Sequence, residues 1–237
     1  EVMKKYAWLY IIFVFVALLG WMGVRVYRKY FGGRNSAVMD FILRTDQHQS
    51  WVTPVFQRCG TAPFVMPTEG YVGYYYGDSF SPFHRHQGID IFGGKTAGQT
   101  PVYAPYDGFV SREAGWKSSL IMRIPQDPLS DQPKQIWIYM THMADAQGNS
   151  LIDPKFETGS MEVPVKQGDL LGYQGDYSGV PLKPVGVHLH LSIVKDDGNG
   201  HYLNELKINN TYDPSPYFGM DLRADNPLVG LARCETE

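Results

Sequence analysis

The sequence predicts an all-β domain, an antiparallel β-sandwich-like fold, carried behind an N-terminal transmembrane helix. Three observations lead there. Residues 6–24 contain no charged side chain and are almost wholly apolar. From residue 63 onward the chain breaks into short β-rich runs punctuated by Gly, Pro and Asp, with no long helical period between them. The 237 residues include 25 Gly and 16 Pro without any repeat, a pattern of many tight turns rather than of collagen or disorder.

The helix comes first. At the rise of an α-helix, 19 apolar residues reach about 28 Å, close to the thickness of a bilayer's hydrocarbon core. Trp8 and Tyr10 stand near one end and Trp21 and Tyr27 near the other, where interfacial aromatic belts form. Lys4 and Lys5 would also suit a cleaved signal. No small-x-small site precedes the basic VRVYRKY segment, however, so the expectation is an uncleaved anchor with a very short tail before it. Counting Arg25, Arg28, Lys29 and Arg34 against Lys4 and Lys5 places the large domain in the cytoplasm. Cys59 and Cys234 pull the other way if they are bridged, because a disulfide belongs to an oxidising compartment; two free core cysteines are the other reading of the same count. Gly20 and Gly23 would let the helix pack closely against a membrane protein partner.

The divisions follow from composition: residues 1–30 as tail, anchor and basic flank, 31–62 as linker, 63–203 as the β domain, and 204–237 as an irregular tail packed on it. Residues 37–58 suit either a short helix or an extended lead-in, since their periodicity is poor. Strands are expected at 71–76, 88–92, 101–103, 108–112, 119–124, 135–141, 170–173 and 187–194. Residues 125–134 and 144–162, rich in Asp, Pro, Gly and Ser, read as excursions between them. A net charge of −3 without a basic stripe excludes nucleic acid as a partner.

Five residues carry chemistry: His86, Asp90, His142, His188 and His190. His188 and His190 alternate, so on a strand they share a face. His86 and Asp90 join if Gln87 and Gly88 turn before a strand that begins at Ile89, with Gly88 leaving room at the bend. Two imidazoles and a carboxylate, from His86, Asp90 and His190, form a zinc shell with one position left for water, the mark of a catalytic rather than a structural ion. A metal-activated water also needs a proton acceptor and a donor for the developing oxyanion, duties that suit His142 and His188. His84 pairs with His86 at the same alternate spacing and leaves a different ligand set open, although Pro82, Phe83 and Arg85 make that stretch loop-like. A cupin-type site would want a glutamate four or five residues beyond His190, where Val194 and Lys195 stand.

HQGIDI, the histidine after the WIYM strand, KQGDLLGYQG and GVHLHLSI together resemble the zinc metallopeptidases of the lysostaphin and LytM type, the M23 family. The resemblance runs from about residue 67 to residue 194, with Gly88, Gly168, Gly172, Gly175 and Gly179 at its turns. It implies an antiparallel β fold with a groove across one sheet, Zn2+ on His86, Asp90 and His190, and His142 and His188 as general base and transition-state stabilisers. It further implies peptidoglycan peptides as substrate, and so an extracytoplasmic domain on a single-pass anchor in the cell membrane, against the charge count. Two departures stand out. The family usually places a tyrosine two residues before the first catalytic histidine, where this chain has Met140, with Tyr139 one position earlier; and DYSGVPLKPVG replaces a simple Thr-Gly turn. The alternative function is the same fold kept as a non-catalytic scaffold or accessory subunit of a membrane protein complex, with residues 144–162 or the tail filling the groove.

Overall fold

The structure is a computed structural model and describes residues 2–31, 33–79, 84–225 and 231–235. Pro82 and Phe83, and the NPLVG segment at 226–230 of the expected tail, lie outside the described residues.

Helix α1 (Val2–Phe31) includes the span Trp8–Tyr27, which is long and apolar enough to cross a membrane and is unburied throughout. Helix α2 (Arg34–Leu43) follows almost at once. It turns Val38 and Phe41 inward onto Tyr71 and Phe92, with the Phe41 and Tyr71 ring centroids 5.1 Å apart.

Ten strands follow. They are β1 (Tyr71–Tyr74), β2 (Ile89–Phe92), β3 (Pro101–Tyr103), β4 (Gly108–Ser111), β5 (Leu120–Ile124), β6 (Ile136–Thr141), β7 (Val163–Val165), β8 (Leu170–Tyr173), β9 (Leu189–Lys195) and β10 (Thr211–Tyr212). Eight of them form one sheet in the order β1-β2-β9-β6-β5-β4-β7, with β10 also paired to β9, and every pairing is antiparallel. The other two, β3 and β8, make a small antiparallel sheet.

Alternation divides the large sheet into two faces. Ile89, Ile91, Ile138, Met140, Leu189 and Leu191 turn one way, into a core shared with Val102 and Leu171 of the small sheet. Asp90, Tyr139, Thr141 and His190 turn the other way and line a cleft. On that second face α2 covers the β1–β2 edge, and Ile121, Trp137 and Val194 pack with Trp116 and Tyr202 toward the other side. The C-terminal segment contributes the short helix α3 (Ser215–Phe218) and buries Tyr217, Phe218, Met220 and Leu222 in the core.

The expectation of an all-β, sandwich-like domain is corrected to a mixed α/β domain with one dominant sheet. Only two strands oppose the eight, and α2 forms a layer of its own. The eight expected strands are present with ends shifted by up to two residues, while β7 and β10 are additional. Cys59 and Cys234 are joined in a disulfide, which closes the alternative of two free thiols.

Candidate metal centre

Asp90 on β2 and His190 on β9 are directly opposed in the sheet, so the ladder itself brings them together. His86 arrives from the loop before β2, and the approach depends on Gly88: a Cβ there would stand 2.0 Å from the Leu191 carbonyl oxygen. Any side chain at 88 would push the loop off β9 and carry His86 away.

Three ligand-type atoms converge. His86 Nε2 lies 3.0 Å from Asp90 Oδ1 and 3.0 Å from His190 Nδ1, and the last two are 2.8 Å apart. The His86 Nδ1–H donates to the Tyr75 carbonyl at 3.1 Å, so a neutral ring keeps its lone pair on Nε2, facing the carboxylate. With both imidazoles neutral and their lone pairs turned to the carboxylate, the three atoms could share a cation in place of the protons that otherwise link them. Tetrahedral zinc, with bonds of about 2.0–2.1 Å, would hold such atoms about 3.3 Å apart, which needs only a small opening of the triangle. His86, Asp90 and His190 are therefore capable of coordinating a metal ion, and two imidazoles with one carboxylate suit zinc.

The electrostatics of the triangle follow from burial and proximity. Burial alone would raise the Asp90 carboxyl, but His86 and His188 beside it, with hydrogen bonds from His190 and His86, hold it well below the ordinary carboxylate range. Burial opposes charge on His86 too, yet the Asp90 carboxylate outweighs it and raises that imidazole. Burial wins at His190, which is lowered despite its hydrogen bond to Asp90.

His142 and His188 stand beside the triangle rather than in it. Their ring centroids are 4.5 Å apart. His142 follows the last residue of β6 in a left-handed conformation, φ 69°, uncommon for a residue with a side chain and frequent where function holds the backbone in place. Its Nδ1–H donates to the Tyr177 carbonyl at 2.7 Å. The chain crossing beneath it needs Gly175, where a Cβ would meet the Ala144 oxygen at 2.1 Å and the His142 oxygen at 2.5 Å. His188 donates from Nδ1 to the Gly186 carbonyl at 2.9 Å and stacks on Phe92 at 4.8 Å. Burial pushes its imidazole down to about 4, with Asp90 opposing the shift.

All five sequence-identified residues thus line one cleft of about 570 Å³. His84 lines it as well but is not among the three described residues whose ligand atoms converge. Tyr74, Phe92, Ser119, Tyr177 and Glu205 complete much of the lining and were not singled out from the sequence, while Tyr139, noted there only as a displaced tyrosine, lines it too. Met140 is fully buried in the core, whereas Tyr139 faces the cleft and hydrogen-bonds Ser119 at 3.0 Å. Counting parity back along the strand from Thr141 would have turned Tyr139, rather than Met140, toward the cleft. Glu205 carries no local sequence signal, because it reaches the cleft from the far C-terminal side.

No family model and no curated protein matches the chain. Solved structures do. The catalytic domain of the antimicrobial peptidase lysostaphin from Staphylococcus simulans is 19% identical over 63% of this chain and 90% of its own, with a TM-score of 0.39. Against the longer lysostaphin structure, the chain spans about half, 48%, of that protein's length. Csd3 of Helicobacter pylori is 21% identical over 56% of this chain and 30% of its own, TM-score 0.34. A variant catalytic domain of the prophage-encoded M23 protein EnpA from Enterococcus faecalis is 22% identical over 64% of this chain and 96% of its own, TM-score 0.36. Each of these likenesses is distant, with about a fifth of the residues identical and TM-scores of 0.34 to 0.39.

Proposed function

We propose that the protein is a membrane-anchored zinc endopeptidase that hydrolyses peptide bonds of bacterial peptidoglycan, with its main domain outside the cytoplasmic membrane. The observation that carries this reading is the convergence of His86, Asp90 and His190 to within 3.0 Å of one another, at a cleft shared with a second histidine pair. The motifs that resemble the M23 family support the choice of wall peptides. The Cys59–Cys234 disulfide supports the oxidising side of the membrane.

His86, Asp90 and His190 would hold the zinc, which when bound supplies a Lewis acid for the scissile carbonyl and a water of pKa about 7. His142, tied at Nδ1 to Tyr177, has its Nε2 lone pair free of that bond to accept a proton from the attacking water. His188, held by Gly186 and kept neutral near pH 7 by burial, stands beside it to hand a proton on or to steady the oxyanion. The Phe92 ring against His188 keeps bulk water from one side of that imidazole.

Among the described residues nothing fills the cleft, which favours catalysis over a scaffold. Residues 144–162 are absent from its lining, and the C-terminal segment contributes Glu205 and Leu206 as a wall. The reading is tested by measuring zinc content together with release of peptides from purified peptidoglycan. His190→Ala is expected to lose the metal; His188→Ala is expected to keep it and to lose at least about 100-fold in turnover, as removal of an acid-base group does. Wild-type zinc content in the first variant overturns the ligand set. Undiminished cleavage by the second removes His188 from the chemistry.

A further inference from the structure

Arg34 opens α2, only three positions beyond the end of α1 at Phe31. Its guanidinium lies 3.7 Å over the Tyr75 ring, and its Nε meets the Asp78 carboxylate at 3.1 Å, with 9% and 13% of the two side chains exposed. A stacked arginine paired so far from water differs from the exposed ion pairs that contribute little.

Both residues that Arg34 grips also hold His86. The Asp78 carboxylate accepts the Tyr75 N–H at 2.6 Å, which ties the two together. The Asp78 carbonyl accepts the His86 N–H at 2.8 Å, and the Tyr75 carbonyl accepts the His86 Nδ1–H at 3.1 Å. Gly77 donates back to the His86 carbonyl at 2.8 Å. Backbone and ring of His86 therefore hang on one platform, and that platform lies between β1 and β2, outside the regular ladder that fixes Asp90 and His190.

We propose that Arg34 is a positioning residue for His86, so that the segment joining the membrane helix to the domain sets how tightly the metal is held. The proposal rests on the reading of His86, Asp90 and His190 as a zinc site. Without the guanidinium, the Asp78 carboxylate is left in a mostly buried place and the turn carrying both acceptors of His86 loosens. Asp90 and His190 stay in register, and His86 Nε2 is the ligand atom that moves. Lysine at this position would keep the charge near Asp78 but lose the planar stack on Tyr75.

The test uses the full-length protein in detergent, with Arg34→Ala, Arg34→Lys and, as a stability control at the opposite sheet edge, Val165→Ala. Zinc dissociation constants come from chelator competition, stabilities from urea midpoints of the metal-free forms, and local order from amide exchange at Gly77 and His86. Arg34→Ala is expected to weaken zinc by about 10–100-fold, as loss of a partner behind a metal ligand does, with Arg34→Lys between it and wild type. Exchange at Gly77 and His86 should quicken while amides in β5 and β6 keep their protection. Wild-type zinc affinity in Arg34→Ala overturns the proposal, and so does an equal loss in Val165→Ala at a matched urea midpoint. If the wild type holds no zinc, the metal reading fails, and exchange decides the clamp: faster local exchange in Arg34→Ala upholds it, and unchanged protection at His86 overturns it.

Discussion

Of the three residues that could hold a metal ion, His86 is the one on which proton and metal would compete most directly. Its imidazole is buried, which opposes charge, but Asp90 Oδ1 at 3.0 Å outweighs burial and raises its pKa above the ordinary value. A proton on His86 occupies the lone pair that a metal would use, so metal affinity must fall as pH drops through that raised pKa. The sign follows from the direction of the shift: loss begins above the pH of about 6.5 at which an unperturbed imidazole titrates. Zinc dissociation constants measured by chelator competition between about pH 8 and pH 5.5 should weaken by up to about tenfold per unit on the acid side. An affinity flat across that range would mean that His86 is not a ligand. His188 contributes no such slope, because burial holds it neutral down to about 4. Among these residues, the sequence made His188 and His190 legible through alternation alone. The turn at Gly88 that joins His86 to Asp90 was legible in HQGID; what the sequence left open was the rival His84–His86 pairing, and it gave no sign of the Tyr75 carbonyl that orients the His86 ring.

Helix α2 shows why part of the architecture was hidden at the level of elements. Val38 and Phe41 point inward, but Met39, Ile42 and Leu43 are exposed, so apolar residues surround the helix and blur the periodicity that would announce it. β7 was missed for a different reason. Pro164 sits in its middle, and proline is tolerated there because β7 is the last strand of its sheet, paired on one side only to β4. The strands lining the cleft were readable because each has one face in the core and one in the cleft, a strict period of two. α2 also bears on function, since it packs on the same face of the sheet as the cleft, against Tyr71 and Phe92, and Phe92 in turn stacks on His188. Replacing the fully buried Phe41 by alanine is expected to destabilise the domain by about 3–5 kcal/mol, with a lower urea midpoint. It should also lower turnover more than zinc content, because the contact it disturbs leads to His188 and not to the metal triangle. Equal losses of metal and turnover would show that α2 supports the sheet as a whole rather than the cleft wall.

Across the whole molecule, the disulfide joins residues 175 apart and in the chain-entropy limit restricts the unfolded state by about 5 kcal/mol. The aromatic core sets the opposite limit, in alkali. Tyr71, Tyr75 and Tyr217 are buried, and burial raises each phenol above its ordinary value, Tyr75 to about 12 and the other two further. A group whose folded-state pKa is raised contributes stability that is complete below the unfolded value, about 10 for tyrosine, and is lost as pH climbs toward the folded one. Above about pH 10 these three phenols alone leave the native state with about three more protons than the unfolded state, a loss of about 4 kcal/mol per pH unit, and Tyr74, Tyr139 and Tyr202, which burial also raises, add to it. A typical domain stability of about 5–15 kcal/mol is then consumed within a few units. Circular dichroism and tyrosinate absorbance, followed together through an alkaline titration, should show one transition in which these phenols ionise only as the fold is lost. Tyr71→Phe sharpens the test, because the Tyr71 hydroxyl is buried with no hydrogen-bond partner among the described residues. Removing it eliminates both an unsatisfied polar group and one of the three proton sites, so the variant should be at least as stable as wild type at neutral pH. Its alkaline slope should be shallower by one proton, about 1.4 kcal/mol per pH unit, with a higher unfolding pH. Ionisation of all three phenols near pH 10 with the circular dichroism unchanged would mean that water reaches them in the native state, and that the core does not close around Tyr71.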